Sequence, residues 1–365
     1  MKICPKCNTT FDDNFSLCPY DQRVLEQEPF IGKLFQDKYL VESRIGKGGM
    51  GVVYRAQDPG NGQYRAIKML APEMSTNQEV HDRFLLECQM LEKLQHTHIV
   101  KLYESGKTDY GMLFMVMEFI EGKSLKSVID ERVAAGNSFS PIETLDMLEP
   151  IAEALSFAHD NGIIHRDLKP DNIMVSKIDN EKSKTTLLDL GIAKMRNNSG
   201  ETVAHLTVPG QIVGTAFYMS PEQWESKKID NRIDIYAFGA VIHEMIAGKK
   251  AFPGPKIPDL IRQHMIMPRP RLEGVPEAFA ELLLRSIAKE KEERPTSIIN
   301  FVKDLRLMLE QVEREPENVQ STIEASKEAA TSTPQAELQN DDSSNEEQNQ
   351  NKPGFLSSLK RLFGR

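Results

Sequence analysis

The chain has 365 residues, enough for about two domains and a full hydrophobic core. Its 39% hydrophobic and 27% charged composition is that of a globular protein in water, and its longest strictly apolar run, Met112 to Met117, falls far short of the roughly 18 residues that a membrane-crossing helix needs. The net charge of −9 is concentrated: residues 311–350 carry ten acidic and two basic side chains, residues 351–365 carry four basic ones, and the mildly acidic remainder gives no reason to expect a nucleic-acid partner.

The N-terminus lacks the apolar stretch that directs secretion, and three of the four cysteines fall within the first 18 residues, so no even disulfide framework is expected and the predicted compartment is the reducing cytoplasm. Those three form a pattern: Cys4-Pro5-Lys6-Cys7, ten residues, then Cys18-Pro19-Tyr20-Asp21. Two such turns resemble the knuckles of a zinc ribbon, with Asp21 in the fourth ligand position. Three thiolates and one carboxylate can complete a tetrahedral zinc site, and about 26 residues with so little apolar content need a metal to fold. The competing readings are an unmetallated flexible tail and redox-active thiols, although neither knuckle has the context of a redox Cys-x-x-Cys. Residues 1–26 are read as a zinc-ribbon-like module and 27–37 as a linker.

Strand and helix patterns then run continuously from 38 to 310. Tyr39 to Ile45 and Gly51 to Tyr54 read as strands flanking a glycine cluster, and Tyr64 to Met69 as a third strand. A helix is predicted over about 78–94, with Val80, Phe84, Glu87, Leu91 and Leu94 on one stripe, and another strand over 112–118. Ser140-Pro141-Ile142-Glu143 is a helix start with an N-cap, a proline at the first helical position and a capping-box glutamate; that helix should stop near Asn161-Gly162. A strand-rich half followed by a larger helical half predicts an α+β protein of two lobes. From 311 the chain is too polar to offset its ordering entropy, so 311–350 is read as an acidic disordered tail.

Gly46, Gly48 and Gly51 are spaced so that backbone N–H groups can approach phosphate oxygens, and the motif joins two strands rather than a strand and a helix, which excludes a dinucleotide-binding fold. Lys68 in the third strand and Glu87 on the buried helix stripe are charges where apolar residues are expected; paired, each offsets the other's burial. The run His165-Arg166-Asp167-Leu168-Lys169-Pro170-Asp171-Asn172, bracketed by apolar segments, and the later Asp189-Leu190-Gly191 supply a proton acceptor and hard oxygen ligands for magnesium, which phosphoryl transfer needs.

These motifs resemble, in order and spacing, the eukaryotic-like (Hanks-type) serine/threonine protein kinases of bacteria, over about three quarters of the chain. The resemblance implies the two-lobed kinase fold over 38–310 and the activity of a non-specific protein serine/threonine kinase using ATP with magnesium or manganese. By the same resemblance Gly46, Gly48 and Gly51 cover the phosphates, and Val53 and Ala66 sandwich the adenine. Glu118 and Ile120 lie in the hinge segment. Lys68 contacts the phosphates with Glu87 as its helix partner; Asp167 is the catalytic base; Asn172 and Asp189 bind magnesium; and Lys169 marks serine/threonine substrates on proteins. Asp234 braces the catalytic loop and Arg294 pairs with Glu222 in Met219-Ser220-Pro221-Glu222. Leu190 and Ser220 stand where the family usually has Phe and Ala. Arg166 implies activation by a phosphate on the 189–222 segment, at Thr207 or else Thr202, with Thr215 a structural contact; the phosphate would add about −1.5 to −2 charge for the guanidinium to bind. The alternative is a pseudokinase or scaffold, which the presence of Lys68, Asp167, Asn172 and Asp189 disfavours. Cys88 is read as a small core residue.

Residues 351–365 place Phe355, Leu356, Leu359, Leu362 and Phe363 at helical spacing opposite basic side chains. So short a helix needs a surface: an anionic membrane at the inner face, a partner groove or the kinase domain itself; a solubilising tail is the bland alternative.

Overall fold

The structure, a computed structural model, describes residues 1–7, 9–48, 51–71, 75, 77–179, 182–189, 212–225 and 227–311. The readings for 312–350 and 351–365, for Leu190, and for Thr202 and Thr207 lie outside them.

The first 28 residues form a small three-stranded sheet in which β1 (Lys2–Ile3) lies between β2 (Thr10–Phe11) and β3 (Glu26–Gln27). Among the described residues Cys4, Cys18 and Leu25 form its small apolar cluster, with Phe11 against them, and Ile3 of β1 is buried as well.

A six-stranded antiparallel sheet follows, in the order β4 (Leu34–Phe35), β5 (Tyr39–Gly48), β6 (Gly51–Gln57), β7 (Tyr64–Leu70), β9 (Leu113–Glu118) and β8 (Leu102–Lys107). The segment 27–37, read from sequence as a linker, supplies β3's second residue, β4, and buried Ile31 and Phe35. Side chains alternate across the sheet. Ile67 and Met69 of β7 join Tyr39, Val41, Tyr54 and Phe114 in the core on one face, and Lys68 between them points to the other. That other face receives helix α1 (Gln78–Lys93), whose N-cap Asn77 accepts from the amides of Glu79 and Val80 and whose buried stripe is Phe84, Glu87, Cys88 and Leu91.

The helical lobe is built on α2 (Leu125–Ala134), α3 (Pro141–Asp160), α6 (Arg232–Ala247) and α8 (Glu277–Ser286), with shorter α4 (Ile212–Ala216), α5 (Pro221–Glu225) and α7 (Ile257–Met265), and a last helix over 298–311. The start of α3 is the capping box read from sequence: Ser140 Oγ accepts from the Glu143 amide, and the Glu143 carboxylate accepts from the Ser140 amide. The heart of this lobe is an apolar cluster that includes Leu148, Ile151, Phe238 and Phe279 and continues to Phe84 and Leu91 of α1; Ala216, Met219, Trp224 and Leu260 form a smaller one.

One feature of this lobe differs from the sequence reading. Of residues 176–184, expected to be a surface loop, 176–179 and 182–184 belong to the paired strands β11 (Ile173–Asp179) and β12 (Lys182–Leu187), where Met174 and Thr186 are register partners; β10 (Lys123–Ser124) pairs with the outer edge of β11. Lys177 and Ser183 in this part are exposed, which suits its polar composition. The segment after α1 is stitched to these strands. The Val100 amide donates to the Leu187 carbonyl (2.8 Å), the Leu187 amide to the His98 carbonyl (2.8 Å), and His98 Nδ1 to the Thr185 carbonyl (2.8 Å). Among the described residues no helix is long and apolar enough to cross a membrane.

Candidate active site

Lys68 is the centre of the site. Its ammonium lies 3.3 Å from Glu87 Oε1 and 3.2 Å from Asp189 Oδ2. Burial alone would pull this lysine down, but the Asp189 and Glu87 charges outweigh it and hold the ammonium above its ordinary pKa. Burial and the charge of Asp189 push Glu87 up, to about 8, against the pull of Lys68. Asp189 resists the burial that would raise it and is held low, chiefly by Lys68. Asp189, the carboxylate of this cluster that stays ionised, is a hard oxygen ligand of the kind a divalent cation takes.

The glycine-rich turn sits on the β5–β6 hairpin, with Lys47 opposite Val52 and Gly48 opposite Gly51. A Cβ on Gly51 would come within 1.9 Å of the Met69 carbonyl oxygen, so only glycine lets this strand lie against β7. Val53 faces Lys68 and Ala66 faces Met117 across the sheet, which puts Val53, Ala66 and Lys68 on one surface. Glu118 closes β9, its amide bonded to the Lys101 carbonyl, and Ile120 follows it into the connection to the helical lobe.

The loop that carries Asp167 is held from beneath. Asp234, 1% exposed at the start of α6, accepts from the amides of His165 (2.8 Å) and Arg166 (2.9 Å) and from His159 Nε2 (2.8 Å). These bonds fix Arg166 at φ +66°, a left-handed conformation that a non-glycine residue adopts at a cost of about 1–3 kcal/mol. The Asn172 side chain donates to the Asp167 carbonyl (2.8 Å), and Lys169 lies 3.3 Å from the Asp167 carboxylate and 3.0 Å from Thr215 Oγ1. Lys68, Glu87 and Asp189 thus form one constellation, and Asp167, Lys169 and Asn172 another on the adjacent loop. Sequence reasoning missed His159 and Gln223, whose amide nitrogen donates to the Arg166 carbonyl (3.0 Å). Both act through long-range pairs that no local pattern reveals. Glu222 and Arg294, matched to each other by resemblance, form a buried pair at 2.6 Å.

Residues 39–306 match the protein kinase domain family. The chain belongs to that family. It is 33% identical over 316 residues to a probable serine/threonine-protein kinase of Clostridium acetobutylicum, covering 86% of this chain and 46% of the relative. It is 37% identical over 232 residues to the probable serine/threonine-protein kinase PknB of Corynebacterium glutamicum, covering 63% and 34%. A serine/threonine-protein kinase of Myxococcus xanthus, pkn3, is 31% identical over 78% of this chain and 52% of its own length. The chain therefore spans about a third to a half of the length of these relatives. The crystal structure of the PknI kinase domain of Mycobacterium tuberculosis superimposes with a TM-score of 0.55 at 26% identity, covering 76% of this chain and 98% of that domain. The fold is the two-lobed kinase fold of the bacterial serine/threonine kinases, preceded here by the small N-terminal sheet.

That sheet gathers Cys4, Cys7, Cys18 and Asp21 so that one ligand atom from each lies within 4.8 Å of the others. Cys7 Sγ and Cys18 Sγ are 3.7 Å apart, and Cys4 Sγ is 3.2 Å from Asp21 Oδ2. The edges of a tetrahedron with zinc–sulfur bonds of about 2.3 Å and zinc–oxygen bonds of about 2.0 Å are about 3.8 Å and 3.5 Å. The amides of Lys6 and Cys7 both point at Cys4 Sγ, as they would to a thiolate. The donor set fits zinc.

Proposed function

We propose that this protein is a serine/threonine protein kinase that transfers the γ-phosphoryl group of ATP to serine and threonine hydroxyls of proteins. The observation that carries the reading is the Lys68 ammonium between Glu87 and Asp189, beside a loop presenting Asp167, Lys169 and Asn172. The glycine-rich turn offers backbone N–H groups to the phosphates, and Lys68, kept protonated by its two carboxylates, attracts their oxygens. Asp167 orients the substrate hydroxyl and accepts its proton as the phosphoryl group departs in line, while Lys169, bridging Asp167 and Thr215, supplies positive charge beside the transferring group. Asn172 and Asp189 are the residues to hold magnesium or manganese, which neutralises phosphate charge when bound. Radiolabelled ATP transfer to a generic basic protein tests this: Asp167→Asn, Lys68→Met and Asp189→Asn should each lower the rate by at least about 100-fold with the fold retained. Near wild-type activity in Asp167→Asn would remove it as the base.

Zinc held by Cys4, Cys7, Cys18 and Asp21 is the second part of the reading, supported by the tetrahedral spacing of the four donors. The purified full chain should carry about one zinc, and Cys7→Ser should lose most of it. Elemental analysis without stoichiometric zinc in protein prepared free of chelator would end this reading.

A further inference from the structure

The N-terminal sheet is in contact with the nucleotide-covering hairpin through two carboxylates that neither the kinase motifs nor the zinc ligands include. Glu26 Oε2 lies 2.7 Å from the ammonium of Lys47, the residue between Gly46 and Gly48, and 3.5 Å from Arg44 Nη1. Glu28 Oε1 lies 3.5 Å from the same Arg44 nitrogen and accepts from the Tyr54 hydroxyl at 3.2 Å. Arg44 and Glu28 are buried, with side chains 3% and 4% exposed. Arg44 and Tyr54 are register partners across β5 and β6, so Glu28 holds both strands of the hairpin while Glu26 holds its tip.

The same two glutamates are tied to the cysteine cluster. Glu26 is the register partner of Ile3, the neighbour of Cys4, and the Glu28 amide donates to the Met1 carbonyl at 2.9 Å. Leu25, directly before Glu26, packs on Cys4 and Cys18. Three strands of two residues and so small an apolar cluster cannot fix β3 by burial alone. Its pairing with β1, the ion pairs of Glu26 and Glu28, and the closure of the four ligands place it together.

We propose that the N-terminal module braces the glycine-rich hairpin, with Glu26 and Glu28 as positioning residues for ATP, and that metal in the cysteine cluster sets the brace. The proposal rests on the kinase and zinc readings above. A hairpin held at Arg44, Lys47 and Tyr54 presents its glycine amides to the phosphates with less ordering left to do on binding. Loosening the brace therefore weakens ATP capture and leaves the chemical step at Asp167 alone.

The test uses the full chain with magnesium in excess, and reads zinc content, kcat and KM for ATP together. Zinc-loaded Glu26→Gln/Glu28→Gln should show a KM raised about threefold or more with kcat within about twofold, in the range that loss of partly exposed ion pairs allows. Stripping zinc from the wild type with a zinc-selective chelator should raise KM similarly, readdition should restore it, and stripping the double variant should add nothing. Glu26→Gln alone, at an exposed pair, gives a second readout where burial of Glu28 limits the folding of the double variant. A wild-type KM in the zinc-loaded Glu26→Gln and double variants overturns the brace. An unchanged KM in wild type shown to have lost its zinc overturns the metal's control of it. Absence of zinc from the starting protein is a separate result that ends the zinc reading and the metal's role together, with the brace then decided by the glutamate variants.

Discussion

Replacing Arg294 with methionine should be among the most destabilising single changes in the helical lobe. The guanidinium is fully buried: Nη1 and Nη2 bind the two carboxylate oxygens of Glu222 at 2.6 and 2.8 Å, and the carbonyls of Ala288, Lys289 and Arg232 accept from it at 2.8, 3.1 and 3.3 Å. Methionine fills much of the volume but leaves Glu222, 5% exposed, as a buried carboxylate with its counter-charge gone. Breaking such a pair from one side costs about 3–5 kcal/mol. At about 2 °C per kcal/mol for a domain of this size, the melting temperature should drop by about 6–10 °C. Glu222→Gln/Arg294→Met should recover part of that loss because no bare charge remains, so the two substitutions should be non-additive in thermal melts. A drop of less than about 2 °C in Arg294→Met, or strict additivity in the cycle, would refute the reasoning.

Acid should weaken the fold through two buried histidines. Burial depresses His264 to about 3, with Tyr236 Oη 2.8 Å from its Nδ1, and His243 to about 4, both from 6.5. Below pH 6.5 the unfolded chain takes up protons that the folded chain refuses, so stability falls as pH drops, by about 4 kcal/mol between pH 7.5 and 5 for the pair; an unchanged slope in melts of His243→Gln/His264→Gln would assign the effect elsewhere. Losing the capping box should cost less: Ser140→Ala removes the bond to the Glu143 amide, and about 1 kcal/mol is expected in thermal melts.

Much of the candidate site was legible in the sequence because its charges interrupt apolar patterns. Lys68 puts a charge between Ala66 and Leu70 on the face of β7 that they share, Glu87 breaks the stripe of α1, and the structure places the two side by side. The capping box of α3 was readable for the same reason, being a local grammar of four residues. Other parts had no local signal. β8 is an edge strand in which no residue is fully buried and whose register shifts between Leu102 and Glu104, so Leu102 to Lys107 carries no clean period of two. The segment 27–37 looked like a connector because its two buried apolar side chains, Ile31 and Phe35, are too few to form a pattern. His159 reaches Asp234 from 75 residues away, and Glu26 reaches Lys47 from 21; such pairs exist only once the chain has folded.

The bonds that join His98 and Val100 to Thr185 and Leu187 make a mechanical linkage. Helix α1 ends a few residues before that seam, and Asp189 lies two residues beyond it. The two carboxylates that flank Lys68 are therefore carried on arms riveted at one point. The distance between Glu87 and Asp189, and with it the seat of the Lys68 ammonium, is thus set by short backbone bonds as well as by side-chain packing.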